Sequence, residues 1–391
     1  MTSATEELLT RSVEHIVPRS LAEAKLASGK PMRVYMGIDP TGTKLHLGHS
    51  VPLRKMQTLV EQGHHVIFLI GSFTAMIGDP SGRDKMREPL TSDQIVKNFE
   101  DYKRQASLVL DFDSVEMRFN HEWLEKMDGK LMMELASHFT VQQMLERDMF
   151  EKRMTEGNPI SIVEFLYPLL VGYDSIVLDV DCELGGSDQL FNMLAGRTLQ
   201  KAYGKRDKFV LTTKLIEGTD GRKMSKTYNN CIWMTDSPSE MYGKTMSLKD
   251  SLITTYLECC TNVPMQEVEQ AKKRMASGGN PRDEKMILAR EIVTLYHGAE
   301  AAAHAESEFT KIFAEKTLPQ DIPSLRAARG SLLSEVLVTG SLVSSKGEAR
   351  RLIRQGGMKH NDVTVSDTEV TVEEGIYKIG KRKFVRVIIQ E

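Results

Sequence analysis

Two short stretches hold most of the residues in this 391-residue chain whose types and spacing could do chemistry. In KLHLGHS (44–50), His46 and His49 stand three positions apart around Gly48. Such a pair can bind zinc, sit as solvated imidazoles at a helix start, or hydrogen-bond a phosphate at a helix N-terminus. Zinc would need a third and fourth ligand at metal-site spacing, and none follows. In GTDGRKMSKTYNN (218–230), Lys223 and Lys226 flank Met224 and Ser225, with Gly218 and Gly221 close by. Two ammonium groups on a closing loop can neutralise charge that builds on a departing pyrophosphate. Taken alone, the same stretch reads better as a basic turn in water.

These residues need elements to position them. MRVYMGI (32–38) reads as a buried strand, DPTGTK as a loop, and the spacing turns helical from His46 through SVPLRKMQTLVEQGHH. Leu53, Met56, Leu59 and Val60 share one side of that helix, and HVIFLIGSF (65–73) is a second strand. Strand, loop, helix and strand in succession make a βαβ unit, so a parallel sheet is expected. Its first loop puts the histidines in the crevice above the carboxyl ends of the strands, where ligands bind in such sheets. Upstream, SLAEAKLASGK suggests a capping box, Ser20 with Glu23, and a helix ended by Gly29. Residues 92–155 look largely helical, and DSIVLDVDCELGG (174–186) returns to strand character. Beyond residue 230 the pattern is helical to about 316, TLPQDIPSL (317–325) reads as a linker, and the tail mixes a short helix (344–355) with the strand-like DVTVSDTEVTV and KFVRVII. The expected architecture is α/β. It has a Rossmann-like parallel-sheet catalytic domain with a helical insertion (1–230), a helical domain with a linker (231–325), and a small α+β domain (326–391).

The bulk composition fits an ordinary globular protein: 40% hydrophobic and 27% charged residues, with a net charge of −3. Four cysteines form no paired metal pattern and suit a reducing compartment. The N-terminus has no apolar core of a signal peptide, and no run approaches the length of a membrane span, so a cytoplasmic protein is expected. The charge is uneven. Residues 332–391 carry a net +2, concentrated in GEARRLIRQGGMKH and KIGKRKFVR. Arg350, Arg351, Arg354, Lys381, Arg382 and Lys383 could meet the phosphates of an RNA.

HxGH early and KMSK late around a parallel sheet resemble the class I aminoacyl-tRNA synthetases. VYMGIDPTGTKLHLGH, MIGDPSGR, FNHEWL, FLYPLLVGYDS, GGSDQLFN and DGRKMSK follow the order and nearly the wording of the bacterial tyrosyl enzymes. The tail SSKGEARRLIRQGGMKHND looks like the S4-type RNA-binding module that ends them. The resemblance implies L-tyrosine, ATP with Mg2+ and tRNA(Tyr) as partners, a homodimer, no protein-bound metal and no membrane. It places Tyr35 and Asp174 at the substrate phenol, Tyr167 and Asp79 at the ammonium, and Gln189 at the carboxylate. Asp188 falls at the adenosine ribose, with Gly185 and Gly186 clearing backbone space. Gly37, Asp39, Thr41, Gly48, Met224 and Ser225 line the nucleotide site, His46, His49, Lys223 and Lys226 meet the phosphates, and Arg83 and Arg87 reach the pyrophosphate. Asn120 supports the tyrosine pocket. One position departs: the family's glutamine four residues after the pocket tyrosine is Val171 here. The surface around Phe139 to Phe150, read as one amphipathic helix, is the expected dimer face. A tryptophanyl enzyme, a dinucleotide-forming nucleotidyltransferase and a non-catalytic RNA-binding paralogue are the competing readings.

Overall fold

The computed structural model describes residues 3–79, 90–225, 228–314, 322–361, 363–380 and 383–390. They form two compact units, Met1–Ala302 and Ala303–Glu391. Among the described residues no helix is long and apolar enough to cross a membrane.

The first unit is built on a six-stranded sheet: β1 (Val13–Val17), β2 (Arg33–Ile38), β3 (His65–Ile70), β4 (Glu116–Phe119), β5 (Cys182–Gly186) and β6 (Phe209–Thr213), in the order β1-β6-β5-β2-β3-β4. All pairs are parallel except β1 with β6. β2 lies at the centre, and β3, with Val66, Ile67, Phe68, Leu69 and Ile70 all buried, has the continuous apolar character of a strand covered on both faces. The chain order reverses at β2, which has β3 on one side and β5 on the other. That is the switch point at which open α/β sheets take ligands. Gly37, near the carboxyl end of this central strand, is nonetheless exposed.

Several expectations are corrected here. The helix Arg19–Ala27 starts at Pro18 without a side-chain cap, and Glu23 pairs with Arg19 instead of closing a box with Ser20. Region 92–155 contains β4. It also holds three short helices, Gly129–Ala136, Val141–Leu145 and Asp148–Thr155, where a longer helix was expected, because Thr140 caps a fresh start and Arg147 stands between the last two. The dimer-face helix therefore does not exist as one element, and Phe150 is in the core. Residues Ile162–Leu178 form one helix, running well into the segment read as a strand. Asp179 ends it in the left-handed conformation (φ 47°), and β5 starts only at Cys182. β1 and β6, missed in the sequence, are the sheet's first two strands in spatial order.

Past β6 the first unit is helical, with Pro238–Met246, Ile253–Cys260, Met265–Ala276 and Pro281–His297. All four cysteines are unpaired and buried; burial raises the thiol pKa of Cys231 and Cys259 to about 11 and moves Cys182 and Cys260 upward too.

The second unit carries its own sheet: β7 (Ser324–Ala328), β8 (Met358–His360), β9 (Val363–Thr364), β10 (Gly375–Ile379) and β11 (Lys383–Gln390), ordered β7-β11-β10-β8-β9. β7 starts inside the stretch read as a linker. The helices Leu333–Thr339 and Lys346–Arg354 share its core with Leu337, Ala349, Ile353 and Val387. The second helix turns Ala349 and Ile353 inward and leaves Arg351 and Arg354 exposed.

Candidate active site

The first loop of the sheet explains the HLGH spacing in local terms. The helix Leu47–Glu61 begins with His46 as its N-cap. His46 Nδ1 accepts from the Gly48 amide at 3.1 Å, and His49 Nδ1 accepts from the His46 amide at 3.2 Å. Two imidazoles thus do the work that Ser and Glu do in an ordinary capping box. A Cβ on Gly48 would lie 2.9 Å from two atoms of the His46 ring, so glycine makes room for the folded-back imidazole. The ring centroids lie 3.8 Å apart, with the planes tilted by 35°.

This geometry fixes the chemistry of both rings. Because each Nδ1 accepts, each neutral ring carries its proton on Nε2 and presents a donor there. Burial lowers the pKa of His46 to about 2 and of His49 to about 4, and His49 and Lys223 add to the effect on His46. Both are uncharged donors near neutrality.

Three other segments converge here. Leu45 and Leu47 hydrogen-bond through the backbone to Met234 and Ile232, so the histidine loop is strapped to the residues that follow the KMSK stretch. Lys223 Nζ lies 3.5 Å from Asp188 Oδ2. Gly186 lets Asp188 approach, since a Cβ there would meet its Oδ1 at 2.8 Å. The Ser225 amide donates to Asn230 Oδ1, and Met224 is buried.

Deeper in the same unit lies a connected polar cluster. Asp174 is 2% exposed and accepts from Trp123 Nε1 (2.7 Å) on one oxygen and Asn120 Nδ2 (3.2 Å) on the other. Burial raises its pKa well above that of an ordinary aspartate. Asn120 also donates to Thr74 Oγ1, which donates to Asp39 Oδ1, and the other Asp39 oxygen accepts from Tyr167 at 2.9 Å. Tyr35, 1% exposed, contacts Ser175 Oγ at 2.9 Å. Gln189 donates to Asp79 at 2.7 Å and accepts from Asn192. Asp39, Asn120, Tyr167 and Asp174 are thus joined by hydrogen bonds through Thr74, and the Asp174 and Asp79 carboxylates act electrostatically on Tyr35 and Tyr167. Apolar residues Ile67, Leu69, Leu170 and Leu178 pack around Tyr35 and Trp123.

Residues 27–314 match the family described as tRNA synthetases class I (W and Y). The chain belongs to that family. It is similar to the tyrosine–tRNA ligase of Moorella thermoacetica, 48% identical over 390 residues that cover 97% of this chain and 94% of the relative. The tyrosine–tRNA ligase of Photobacterium profundum is 44% identical over 385 residues, 98% of each chain. Among solved structures, a C-terminally truncated mitochondrial tyrosyl-tRNA synthetase of Aspergillus nidulans superposes with a TM-score of 0.65 at 25% identity, covering 80% of this chain and 95% of its own. A tyrosine complex of the Archaeoglobus fulgidus tyrosyl enzyme shares the fold, with a TM-score of 0.62 at 22% identity over 77% of this chain and 98% of that one.

Sequence reasoning about this synthetase left out Thr74, Trp123, Ser175, Glu183 and Lys208, all of which belong to the buried polar cluster or stand behind it. The signal available was polarity in otherwise apolar stretches, such as Lys208 ahead of FVLTT. Thr41 sits in the loop after β2, its amide bonded to the Asp39 carbonyl. Arg83, Arg87, Lys226, Lys381 and Arg382 lie outside the described residues. In the second unit Arg350 pairs with Glu369 at 3.0 Å and Lys383 donates to the Leu342 carbonyl.

Proposed function

We infer that this synthetase activates L-tyrosine with ATP, releasing pyrophosphate, and transfers the tyrosyl group to the terminal adenosine of tRNA(Tyr). The observation that carries the amino-acid choice is the buried Tyr35 and Asp174 pair, whose polar atoms would be left unmatched by phenylalanine. Tyr167 and Asp79 would receive the ammonium and Gln189 the carboxylate. Gly37, Asp39, Thr41, Gly186, Asp188, Met224 and Ser225 would line the nucleotide.

No protein nucleophile is needed. The tyrosine carboxylate attacks the α-phosphorus of ATP, whose magnesium complex is the substrate. Among the described residues no three His, Cys, Asp or Glu side chains are grouped to hold an ion on their own. His46 and His49 would donate from Nε2 to the phosphate oxygens as charge shifts, and Lys223, Lys226, Arg83 and Arg87 would neutralise the departing pyrophosphate. Neutral histidine donors stabilise oxygens that gain charge without binding ATP itself as tightly as cations would.

The basic face of the helix Lys346–Arg354 supports a role for residues 326–391 in holding tRNA, with 231–325 reading the anticodon. A homodimer fits the strongly exposed apolar side chains Met133, Val141, Met154 and Ile162, and the cytoplasm fits a substrate that is tRNA. ATP–pyrophosphate exchange measured with each amino acid in turn tests the reading. Exchange with tyrosine alone is expected, and exchange driven by tryptophan or by no amino acid would overturn it. Deleting residues 331–391 should leave that exchange intact and abolish charging of tRNA.

A further inference from the structure

Behind Tyr35 lies a charge pair for which neither the fold nor the reaction gives an obvious need. Lys208, immediately before β6, is fully buried and contacts Glu183 of β5 as an ion pair. Its Nζ also lies 2.7 Å from Ser175 Oγ, and the same Ser175 oxygen is 2.9 Å from the Tyr35 hydroxyl. Gly196, on the helix Leu190–Ala202, makes space for the group. A Cβ there would fall 2.5 Å from Ser175 Oγ, 2.8 Å from Lys208 Nζ and 3.2 Å from Glu183 Oε2. Burying an ion pair is costly, and apolar residues of the same volume generally serve stability as well. A role beyond stability is therefore worth seeking.

The donor and acceptor inventory supplies one. An ammonium only donates, so Ser175 Oγ must accept from Lys208. The Ser175 proton then has two acceptors in reach, Glu183 Oε2 at 3.4 Å and Tyr35 Oη at 2.9 Å, and the nearer one is the tyrosine. With its oxygen thus occupied, Tyr35 directs its own proton away from Ser175; Glu183 also hydrogen-bonds this hydroxyl, and the ion pair with Lys208 engages that carboxylate so that the proton is left to a ligand. At the far side Asp174 receives one donor on each oxygen, from Trp123 and Asn120, and so is set as an acceptor.

We propose that Lys208, held by Glu183, is a positioning residue that polarises the row Lys208, Ser175, Tyr35 so that Tyr35 donates to the phenol oxygen of the bound amino acid, whose own proton goes to Asp174. The inference rests on the reading that the tyrosine phenol lies between Tyr35 and Asp174. A phenol accepts and donates at once, and this arrangement matches it in one direction only. Without the ammonium, Ser175 is free to turn, Tyr35 can donate back to it, and the substrate oxygen faces a lone pair.

The test compares tyrosine-driven and phenylalanine-driven pyrophosphate exchange in the full-length protein and in Ser175→Ala. The ratio of the two kcat/KM values is expected to fall about tenfold, through the tyrosine value, as one oriented hydrogen bond is lost. The paired variant Lys208→Met with Glu183→Met, which leaves no buried charge unpaired, should lower the ratio similarly and answers the question if Ser175→Ala does not fold. A merely structural role would lower both substrates together, and a parallel loss or an unchanged ratio overturns the proposal. If the unmutated protein shows no tyrosine-driven exchange, the functional reading itself fails, which is a separate result.

Discussion

The two ends of the proposed active site are built in opposite ways. At the phosphate end, HLGH positions itself: four consecutive residues make both the helix cap and the two Nε2 donors, and the rings are half-buried. At the side-chain end, the polar groups come from positions 35 to 208, with Tyr35 on β2, Glu183 on β5, Asn120 and Lys208 beside β4 and β6, and Thr74, Trp123, Tyr167, Asp174 and Ser175 on helices, and most are fully buried. A local device can be replaced residue by residue with mainly kinetic consequences. A dispersed buried network couples recognition to stability, because each unmatched polar atom in it costs about 1–3 kcal/mol.

Four measurements would break or sharpen this contrast. The largest effect is expected at the phosphate end. His49→Ala should raise the barrier to adenylate formation by about 2–4 kcal/mol while tyrosine affinity holds, as read by single-turnover rates and equilibrium binding. A wild-type rate would show that the histidine only caps the helix. At the other end, Gly196→Ala should cost about 1–3 kcal/mol of stability, since the new methyl enters a packed group of three polar atoms. Denaturant unfolding measures it, and the tyrosine KM should rise with that for ATP unchanged.

Val171→Gln should act in the favourable direction. Val171 stands one helical turn after Tyr167, where a side-chain amide could reach the substrate ammonium. A hydrogen bond to a charged group contributes about 1.5–3 kcal/mol, so the tyrosine KM is expected to drop at least about tenfold, with ATP unaffected. Unchanged tyrosine affinity would mean that another group already fills the role.

The smallest effect concerns pH. Both capping histidines have folded pKa values lowered by burial, to about 2 and about 4, whereas an unfolded histidine titrates near 6.5. Below that pH the unfolded chain takes up protons that the fold refuses. The stabilisation is therefore complete above about pH 6.5 and declines as the pH falls towards 4. His49→Gln should flatten the fall in Tm between about pH 7 and 5 by removing one of the two groups.

The same contrast explains what the chain's residues disclosed in advance. The βαβ unit and the HLGH helix start were legible because each is contiguous and its period or glycine spacing marks it. The reason for Gly48 was not, because only the folded-back ring of His46 shows what a Cβ would strike. β1 and β6 escaped because VEHIV is half polar and FVLTT is too short to stand out, although Lys208 lies immediately before β6. The helix ending at Leu178 was misread as a strand because its last turn, SIVL, is as apolar and β-branched as a buried strand. Ser175 ends the stretch FLYPLLVGYDS but, like Lys208, has no role assigned by it: their partners are 140 and 33 positions away, and only the fold brings them together.

The buried cysteines have a practical consequence. All four thiols are shielded and hard to ionise, and a thiol must ionise to attack a maleimide. A single cysteine introduced at Tyr228, which is 49% exposed beside the KMSK stretch, would be the one readily labelled site on an otherwise unmodified chain. A fluorophore there could follow the loop in real time as ATP enters, with no native thiol removed first.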